Sequence, residues 1–416
     1  MIRKMHPAEE ICYVMKRAYE RNMVSSAGGC LSIRDEDGHM WISPTSQDKG
    51  NLKPEIIAEY DAEGNQLSAY AGSMEWDNHL AVYRARSDVK AIFHTHSSGV
   101  LSTAFARKAL TVQFADAARI LGPIAEVPFS VPASQQLLDD VVAMARTGSN
   151  VLTLDSHGTY ILSDTSLFDA FKLQDLLEMT ARCEAVAPAI GASFKPLTPA
   201  EVERYAGVTE IKETYGPETE TVTAAKAREQ LCELARRAYD NRVLDLTLGS
   251  FSVRLGEDDF LITPANRDIA NLLPEEIVRV KGGKAEEGKA LPLHTALHRE
   301  IYNRKAYAGS VMTGTPAYAA AYCVAEGNFD CSIDPELTFC VKGVKKYSAD
   351  ASDAQIAEGF EEDSLAAVVE HRLVAAAAVN GVKTLGIFEC LEYATRAVAE
   401  MAIRNLKPVR IAEYVK

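Results

Sequence analysis

The sequence predicts two tandem α/β/α layered domains, each with a mainly antiparallel central sheet flanked by helices. Two observations lead to this fold class. The chain repeats itself, because the pattern of residues 8–34 returns in residues 228–254. Within each repeat, short strand-like runs joined by Asp-Gly or Glu-Gly turns alternate with longer runs of helical periodicity.

The repeat shows as identities at a nearly constant spacing. Cys12 matches Cys232 at a shift of 220 residues, and the same shift places WISP, starting at Trp41, on LITP, starting at Leu261. The run HLAVYRAR, starting at His79, meets HREIYNRK at a shift of 219. Several identities at one offset over more than 70 residues indicate a duplication.

The duplication predicts the domain organisation. We expect one domain in residues 1–212 and a second in residues 222–416. A polar link at 209–224, rich in Glu and Thr, separates them, and Gly216-Pro217 interrupts any regular structure there. The repeats are called the first copy and the second copy below.

Each copy begins with an amphipathic helix. In the first copy, apolar residues such as Ile11, Met15 and Tyr19 recur at three- and four-residue spacing. A second helix is expected at 75–86, a buried strand at 89–96, and a long closing helix from residue 166 to about residue 187.

The composition excludes several classes of function. The chain has 416 residues with 47% hydrophobic and 25% charged residues, which is typical of globular proteins. A formal net charge of −14 argues against nucleic acid or an anionic membrane as partner, because phosphates would be repelled. Eight cysteines without a CxxC pair, an N-terminus without an apolar region and no run of 18 apolar residues predict a cytoplasmic protein with reduced thiols.

Four residues of the first copy form a candidate metal site. His94 and His96 are two residues apart on the predicted strand, so both imidazoles point to the same face. His157 follows another apolar strand and precedes a glycine, and Glu75 begins a helix. Three histidines and a carboxylate suit a divalent transition ion such as zinc. An HxH pair alone is weak evidence, however, since buried core histidines can have the same spacing.

The second copy favours the metal interpretation. At the shift of 219, His94 and His96 fall on Thr313 and Thr315, and Glu75 falls on His294. With a small further shift, His157-Gly158 falls on Asn380-Gly381. All four candidate ligands change together, while scaffold residues such as Tyr83 and its counterpart Tyr302 persist. Core histidines have no reason to disappear as a set, whereas a metal site that one copy has abandoned explains the pattern.

The motifs of the first copy resemble those of the class II aldolase/adducin family. The segments that carry the resemblance are GGCLSIR (28–34), WISPTSQDKGNLKPE (41–55), GSMEWDNHLAVYRARSDVKAIFHTHS (72–97) and SHGTYILSD (156–164). The resemblance implies a class II aldolase-like fold in both copies, the second being a degenerate copy without metal ligands. It also implies that His94, His96 and His157 bind Zn²⁺, or Mn²⁺, Co²⁺ or Fe²⁺, and that Glu75 is the catalytic residue.

The implied activity is that of an aldolase or related carbon–carbon lyase. Its substrate would be a small, sugar-derived hydroxy-carbonyl compound that reacts through an enediolate stabilised by the metal. Decarboxylase, dehydratase and epimerase reactions through the same enediolate stay open. A non-catalytic, adducin-like assembly protein is the alternative from another class.

The family's substrate-binding positions are altered in this chain. The resemblance places substrate binding at Gly29, Cys30, Ser43, Ser46 and Ser73. Cys30 replaces the family's asparagine and Ser46 a glycine, while the thioether Met74 replaces a serine. No lysine or arginine evidently compensates in these loops. We therefore expect a substrate that is unphosphorylated or that carries a carboxylate or another group.

The resemblance also has consequences for assembly. Family members typically form ring-shaped tetramers with sites between subunits, so a duplicated chain is expected to form a homodimer that acts as a pseudo-tetramer. The second copy would then act mainly as a scaffold.

Overall fold

The computed structural model describes residues 5–191, 196–208 and 211–411, so the first two residues of the predicted link lie outside the described residues. The chain forms two compact units. The first unit comprises Met1–Leu110 and Ile120–Ala181, and the second comprises Thr111–Arg119 and Arg182–Lys416. The second unit therefore includes a short stretch, 111–119, from the middle of the first copy. The predicted domain boundaries at 212 and 222 stay a prediction.

The first copy contains seven strands and six helices among its described residues. The strands are β1 (Cys30–Arg34), β2 (Met40–Ile42), β3 (Ala58–Tyr60), β4 (Ala91–Thr95), β5 (Ile124–Val127), β6 (Val151–Leu154) and β7 (Gly158–Ser163). The helices are α1 (Pro7–Glu20), α2 (Trp76–Ala85), α3 (Ser98–Phe105), α4 (Ala115–Leu121), α5 (Gln135–Ala145) and α6 (Leu167–Val186). The sheet order is β3-β2-β1-β4-β7-β6-β5, and every pair is antiparallel except β5 with β6.

The described remainder of the chain contains nine strands and five helices. The strands are β8 (Thr214–Tyr215), β9 (Ser250–Gly256), β10 (Asp259–Ile262), β11 (Val278–Lys281), β12 (Lys284–Glu286), β13 (Ser310–Gly314), β14 (Val344–Tyr347), β15 (Ala366–Val369) and β16 (Leu373–Ala378). The helices are α7 (Pro199–Tyr205), α8 (Val222–Asp240), α9 (Thr295–Arg304), α10 (Asp353–Glu358) and α11 (Gly381–Ile403). The sheet order is β14-β15-β16-β13-β9-β10-β11-β12-β8. Its first seven strands repeat the first sheet from β5 to β3, and β12 and β8 extend the edge.

The predicted fold class is confirmed, and the first unit shows why both faces of its sheet need helices. All six residues of β7 are buried, which requires cover on both sides. On one face, Leu80 of α2 and Val141 of α5 pack in one cluster with residues of the sheet. On the other face, Phe171 of α6 packs against Phe93 of β4 with ring centroids 5.8 Å apart.

The two copies share a buried hydrogen-bonded frame. In the first, Ser32 Oγ lies 2.7 Å from His79 Nδ1 and 2.8 Å from the Tyr83 hydroxyl. In the second, Ser252, His298 and Tyr302 repeat this triad, with both distances 2.7 Å. Burial lowers the pKa of His79 and of His298 to about 3, so both rings are neutral. His79 and His298 therefore serve the fold, which is the role that their retention in both copies indicates.

The element bounds agree with the predicted ones to within a few residues. The helix expected at 75–86 spans 76–85, and the long closing helix expected at 166–187 spans 167–186. Helices α3, α4 and α5 were not predicted. Within the described residues, no helix combines the length and the apolar character needed to cross a membrane.

Candidate metal and acid–base site

His94 and His96 lie where β4 ends. His94 is 2% exposed and pairs with Cys30 of β1 on one side and Tyr160 of β7 on the other. His96 follows the last residue of β4 and is half-buried. Their Nε2 atoms are 3.0 Å apart, so the alternation along a strand brings both imidazoles to one face, as predicted.

His157 approaches the same point from the turn between β6 and β7. Ser156 before it has φ +56°, and Gly158 after it has φ +147°. A Cβ at Gly158 would lie 2.1 Å from the carbonyl oxygen of Thr95, so the position requires glycine. This tight passage lets the turn fold against the end of β4 and directs His157 toward the other two histidines.

The three imidazoles form a compact group of nitrogen donors. One ring nitrogen from each of His94, His96 and His157 lies within 4.8 Å of the other two. His94 Nδ1 donates to the carbonyl oxygen of Thr159 at 2.9 Å, which leaves the Nε2 lone pair of a neutral His94 free. Burial lowers the pKa of His94 to about 3 and also lowers the pKa of His96. Both rings are thus neutral at physiological pH, the form that binds metal ions.

Glu75 completes the group at the start of α2. It is 8% exposed, and its carboxylate oxygens lie 3.2 Å from His157 Nε2 and 3.6 Å from His94 Nε2. Burial raises the pKa of Glu75, but His94, His157 and the Tyr160 hydroxyl lower it by more, so the net shift is downward. The carboxylate is ionised and within reach of the centre of the histidine group.

Tyr160 is a site residue that the sequence did not reveal. Its hydroxyl donates a hydrogen bond to Glu75 Oε2, and Asn78 Nδ2 lies 3.4 Å from the same hydroxyl. Burial, and then the charge of Glu75, raise the pKa of Tyr160 well above its ordinary value, so it remains a donor. Because 85 residues separate Tyr160 from Glu75, no local motif connects them. The available signal was its place two residues after Gly158, where the second copy has alanine.

The donor set fits a divalent transition ion. Three imidazole nitrogens converge beside an ionised carboxylate, and the backbone already holds His94 in the tautomer that a ligand needs. The same donors suit Zn²⁺, Co²⁺, Mn²⁺ and Fe²⁺ and do not distinguish between them.

The predicted substrate-binding residues lie in neighbouring loops and differ in accessibility. Gly29 has φ +83°. Ser46 is exposed and has φ +54°, a backbone conformation that the glycine found at this position in the family would adopt more readily. Cys30 is 1% exposed, and burial raises the pKa of its thiol to about 12. Ser43 is fully buried and accepts a hydrogen bond from Leu31 N, whereas Ser73 is half-buried. Their role in binding substrate stays a prediction.

One cation in these loops was missed. Lys49 is only 3% exposed, and its ammonium donates to the carbonyl oxygen of Pro44. Among the described residues, no carboxylate forms an ion pair with it, and burial lowers its pKa. From the sequence alone, no lysine or arginine evidently compensates in these loops, because Lys49 looks like a surface residue there.

The second copy confirms three of the four predicted replacements. The pairing of β9, β13 and β16 places Thr313 at the position of His94, with Thr315 two residues on, and His294 precedes α9 as Glu75 precedes α2. The fourth assignment was wrong. Hairpin β15–β16 matches hairpin β6–β7 at a shift of 215, so His157 corresponds to Arg372 and not to Asn380. Ser156 and its counterpart His371 both have φ +56°.

The chain matches a known family over both copies. It matches the model of the family described as "Class II Aldolase and Adducin N-terminal domain" over residues 9–185 and again over 229–399. It is 32% identical to L-fuculose phosphate aldolase of Methanocaldococcus jannaschii over 171 residues, 41% of this chain and 90% of that protein. It is 30% identical to 3-oxo-tetronate 4-phosphate decarboxylase of Haemophilus influenzae over 169 residues, 39% of this chain and 80% of that protein.

Among solved structures, an L-fuculose 1-phosphate aldolase is 25% identical in sequence. The match covers 49% of this chain and 95% of that one, with a TM-score of 0.44. The two segments matched by the family model span most of the chain, and the protein belongs to the class II aldolase and adducin family as a tandem duplication.

Proposed function

We propose that the protein is a cytoplasmic, divalent-metal-dependent lyase of the aldolase type that acts on a small, sugar-derived hydroxy-carbonyl substrate. The observation that carries this proposal is the convergence of His94, His96 and His157 beside the ionised Glu75. Relatives named as an aldolase and as a decarboxylase support the reaction class, since both types of enzyme break a carbon–carbon bond. Eight free cysteines support a reducing compartment.

His94, His96 and His157 would hold the ion, and we favour zinc, with manganese, cobalt and iron as the other candidates. A bound ion supplies a Lewis acid that stabilises negative charge on substrate oxygens. The thioether and the hydroxyl that replace family residues in the neighbouring loops would change which substrate group binds beside the ion. They leave the three nitrogen donors unchanged.

Glu75 is the proposed acid–base residue. Its Oε1 lies beside His157, while the Tyr160 hydroxyl holds Oε2 and fixes the orientation of the carboxylate. The carboxylate would take a proton from a substrate hydroxyl and return one to carbon. Burial to 8% exposure excludes most of the water that would otherwise compete for that proton.

Decarboxylation is the second candidate reaction, and the relative named 3-oxo-tetronate 4-phosphate decarboxylase favours it. It would use the same three histidines and would need Glu75 to protonate the product carbon. Dehydration and epimerisation have no observation of their own in their favour. An adducin-like assembly role is disfavoured, because a scaffold does not need a buried carboxylate against three histidines.

The substrate's charged group is proposed to bind at Lys49. The Lys49 ammonium donates to the carbonyl oxygen of Pro44, and Pro44 forms a β-bridge with Gly72. Next to this bridge, Ser73 N donates to Ser43 O at 3.0 Å. The two predicted binding loops therefore meet beside this lysine. A buried ammonium without a carboxylate partner favours an anionic ligand, either phosphate or carboxylate. The second copy has Ile269 at this position.

A homodimer is proposed to complete the site. In the second unit, the stretch 111–119 covers the position that corresponds to Glu75, where Asp116 Oδ2 lies 2.9 Å from His294 Nε2. It also contacts the turn that corresponds to the one holding His157, where Ala115 N donates to His371 O at 3.0 Å. The corresponding stretch of the second copy, which precedes β14, leaves Phe339 75% exposed. In a dimer, the stretch of one chain that contains Phe339 would cover Glu75 and His157 of the other chain in the same manner.

The first prediction concerns metal content. Elemental analysis of the purified protein should find close to one divalent ion per chain, because the second copy lacks the donors. His157→Ala removes a direct ligand. It should therefore weaken ion binding by more than the roughly 10- to 100-fold that is typical when a residue that only supports a ligand is lost. The control His39→Ala, which removes a histidine paired with Glu59, should keep the ion. Two ions per chain, or none after titration, would contradict the proposal.

The second prediction concerns Glu75. Glu75→Gln should keep the ion and lower kcat on the best substrate by about 10²- to 10⁴-fold, the usual contribution of a general acid–base group. Turnover of a panel of hydroxy-carbonyl compounds measures this, and Asp77→Asn in the same helix should be active. If Glu75→Gln retains full turnover, another residue moves the proton.

The third prediction concerns Lys49. Lys49→Met should raise KM for anionic substrates by about 10- to 100-fold, since a hydrogen bond to a charged group contributes roughly 1.5–3 kcal/mol. The panel should contain phosphorylated, carboxylated and neutral compounds, which also identifies the group that binds. Lys53→Met replaces an exposed lysine nearby and serves as control. An unchanged KM for every anionic compound refutes this role.

The fourth prediction concerns assembly. Sedimentation should show a dimer, and Phe339→Asp should shift it to monomer with turnover falling in parallel. Ile403→Asp, at a side chain that is 81% exposed on α11, should leave the dimer intact. A wild-type monomer with full activity would rule out a shared site.

A further inference from the structure

We propose that Gln174 on α6 is a positioning residue for all three histidines, acting through a buried chain of hydroxyl groups. This inference rests on the proposed metal site. Gln174 lies on the helix behind the sheet, and its side chain bonds to Thr159 and Ser97 rather than to an imidazole, so its effect on the ligands is indirect.

The hydrogen-bonded chain consists of four side chains, and its donors all run in one direction. Thr95 Oγ1 lies 3.1 Å from Thr159 Oγ1, and Thr159 Oγ1 donates to Gln174 Oε1 at 2.7 Å. Gln174 Nε2 then donates to Ser97 Oγ at 3.0 Å. All four side chains are fully buried. Since the Thr159 hydroxyl donates to the amide, Thr95 must donate to Thr159.

Each of the three hydroxyl residues in this hydrogen-bonded chain lies within two residues of a histidine of the proposed site. Thr95 and Ser97 flank His96 directly. Thr159 follows His157 by two residues, and its carbonyl oxygen accepts the hydrogen bond from His94 Nδ1. One amide therefore joins the end of β4 to the start of β7, the two segments whose separation sets the distances between the three imidazoles.

The backbone ladder alone does not require these groups. Strands β4 and β7 are already paired over five residues, and buried hydroxyl and amide groups cost roughly 1–3 kcal/mol each when they lack a partner. A sheet could be built more simply with apolar residues here. Their presence at the ligand-bearing ends, directly behind the histidines, points to a role in placing those ends.

The second copy provides an internal control for this inference. Glu178 of α6 accepts from Gly99 N and Val100 N, and Glu392 of α11 accepts from the equivalent Tyr318 N and Ala319 N. This shared contact aligns the two helices at a shift of 214, which places Phe388 at the position of Gln174.

The other three members are lost as well. Strand pairing places Gly314 at the position of Thr95 and Val374 at that of Thr159, and Pro316 follows at that of Ser97. The strands still pair in the second copy, and the Glu392 contact is intact. The fold thus keeps its helix anchor and its ladder without the hydroxyl chain, which disappears together with the histidines.

The test measures metal affinity and geometry directly. Co²⁺ is titrated into metal-free full-length protein and followed by its visible absorption, which reports the arrangement of donors around the ion. Gln174→Leu, which keeps the volume but removes both hydrogen bonds, should weaken Co²⁺ binding about 10- to 100-fold and alter the absorption bands. Thr180→Val is the control, because the Thr180 hydroxyl is buried on the same helix and donates to Leu176 O within that helix.

A second variant covers the case in which Gln174→Leu does not fold. Thr159→Val introduces the residue that the second copy tolerates and should weaken binding in the same way. If the folded variants bind Co²⁺ with wild-type affinity and spectrum, the positioning role is overturned while the metal site stands. If the wild-type protein itself binds no Co²⁺, the proposed metal site fails, and this inference fails with it.

Discussion

The hydrogen bond from His94 Nδ1 to the carbonyl oxygen of Thr159, 2.9 Å long, is the contact on which the candidate site depends. It crosses from β4 to β7 and leaves Nε2 of a neutral His94 with a free lone pair. It also requires the turn before β7 to lie close to the end of β4, and Gly158 makes that possible because a side chain would collide with Thr95 O. The positions of His96 and His157 follow from this one approach of two strands.

Charge burial is the second constraint, and the site resolves it locally. A carboxylate that is 8% exposed is costly unless donors surround it, and Glu75 has the Tyr160 hydroxyl and the ring of His157 beside it. In the first copy the compensating groups also include histidines suited to a cation. In the second copy Glu75 becomes His294 and Tyr160 becomes Ala375, so the charge and its donor are both absent.

The duplication separates what the fold needs from what the site needs. The triad of Ser32, His79 and Tyr83 is kept as Ser252, His298 and Tyr302. In each copy it is a buried hydrogen-bonded group that joins a strand of the sheet to a helix packed on it. The candidate histidine ligands are replaced by Thr313, Thr315 and Arg372, which leave the strand pairing unchanged. Packing therefore tolerates the loss of the ligands, and their retention in the first copy points to chemistry.

Local patterns were sufficient for the fold class, the repeat and the grouping of His94, His96 and His157, because strand alternation and a glycine after a strand are properties of neighbouring residues. They did not reveal Tyr160, Lys49 or Gln174, whose partners lie far away in sequence or whose burial only packing establishes. The counterpart of His157 was misplaced for a related reason. The offset between copies drifts from 219 at β4 to 215 at β7, and hydrogen-bond pairing, which a sequence does not display, is what fixes it at Arg372.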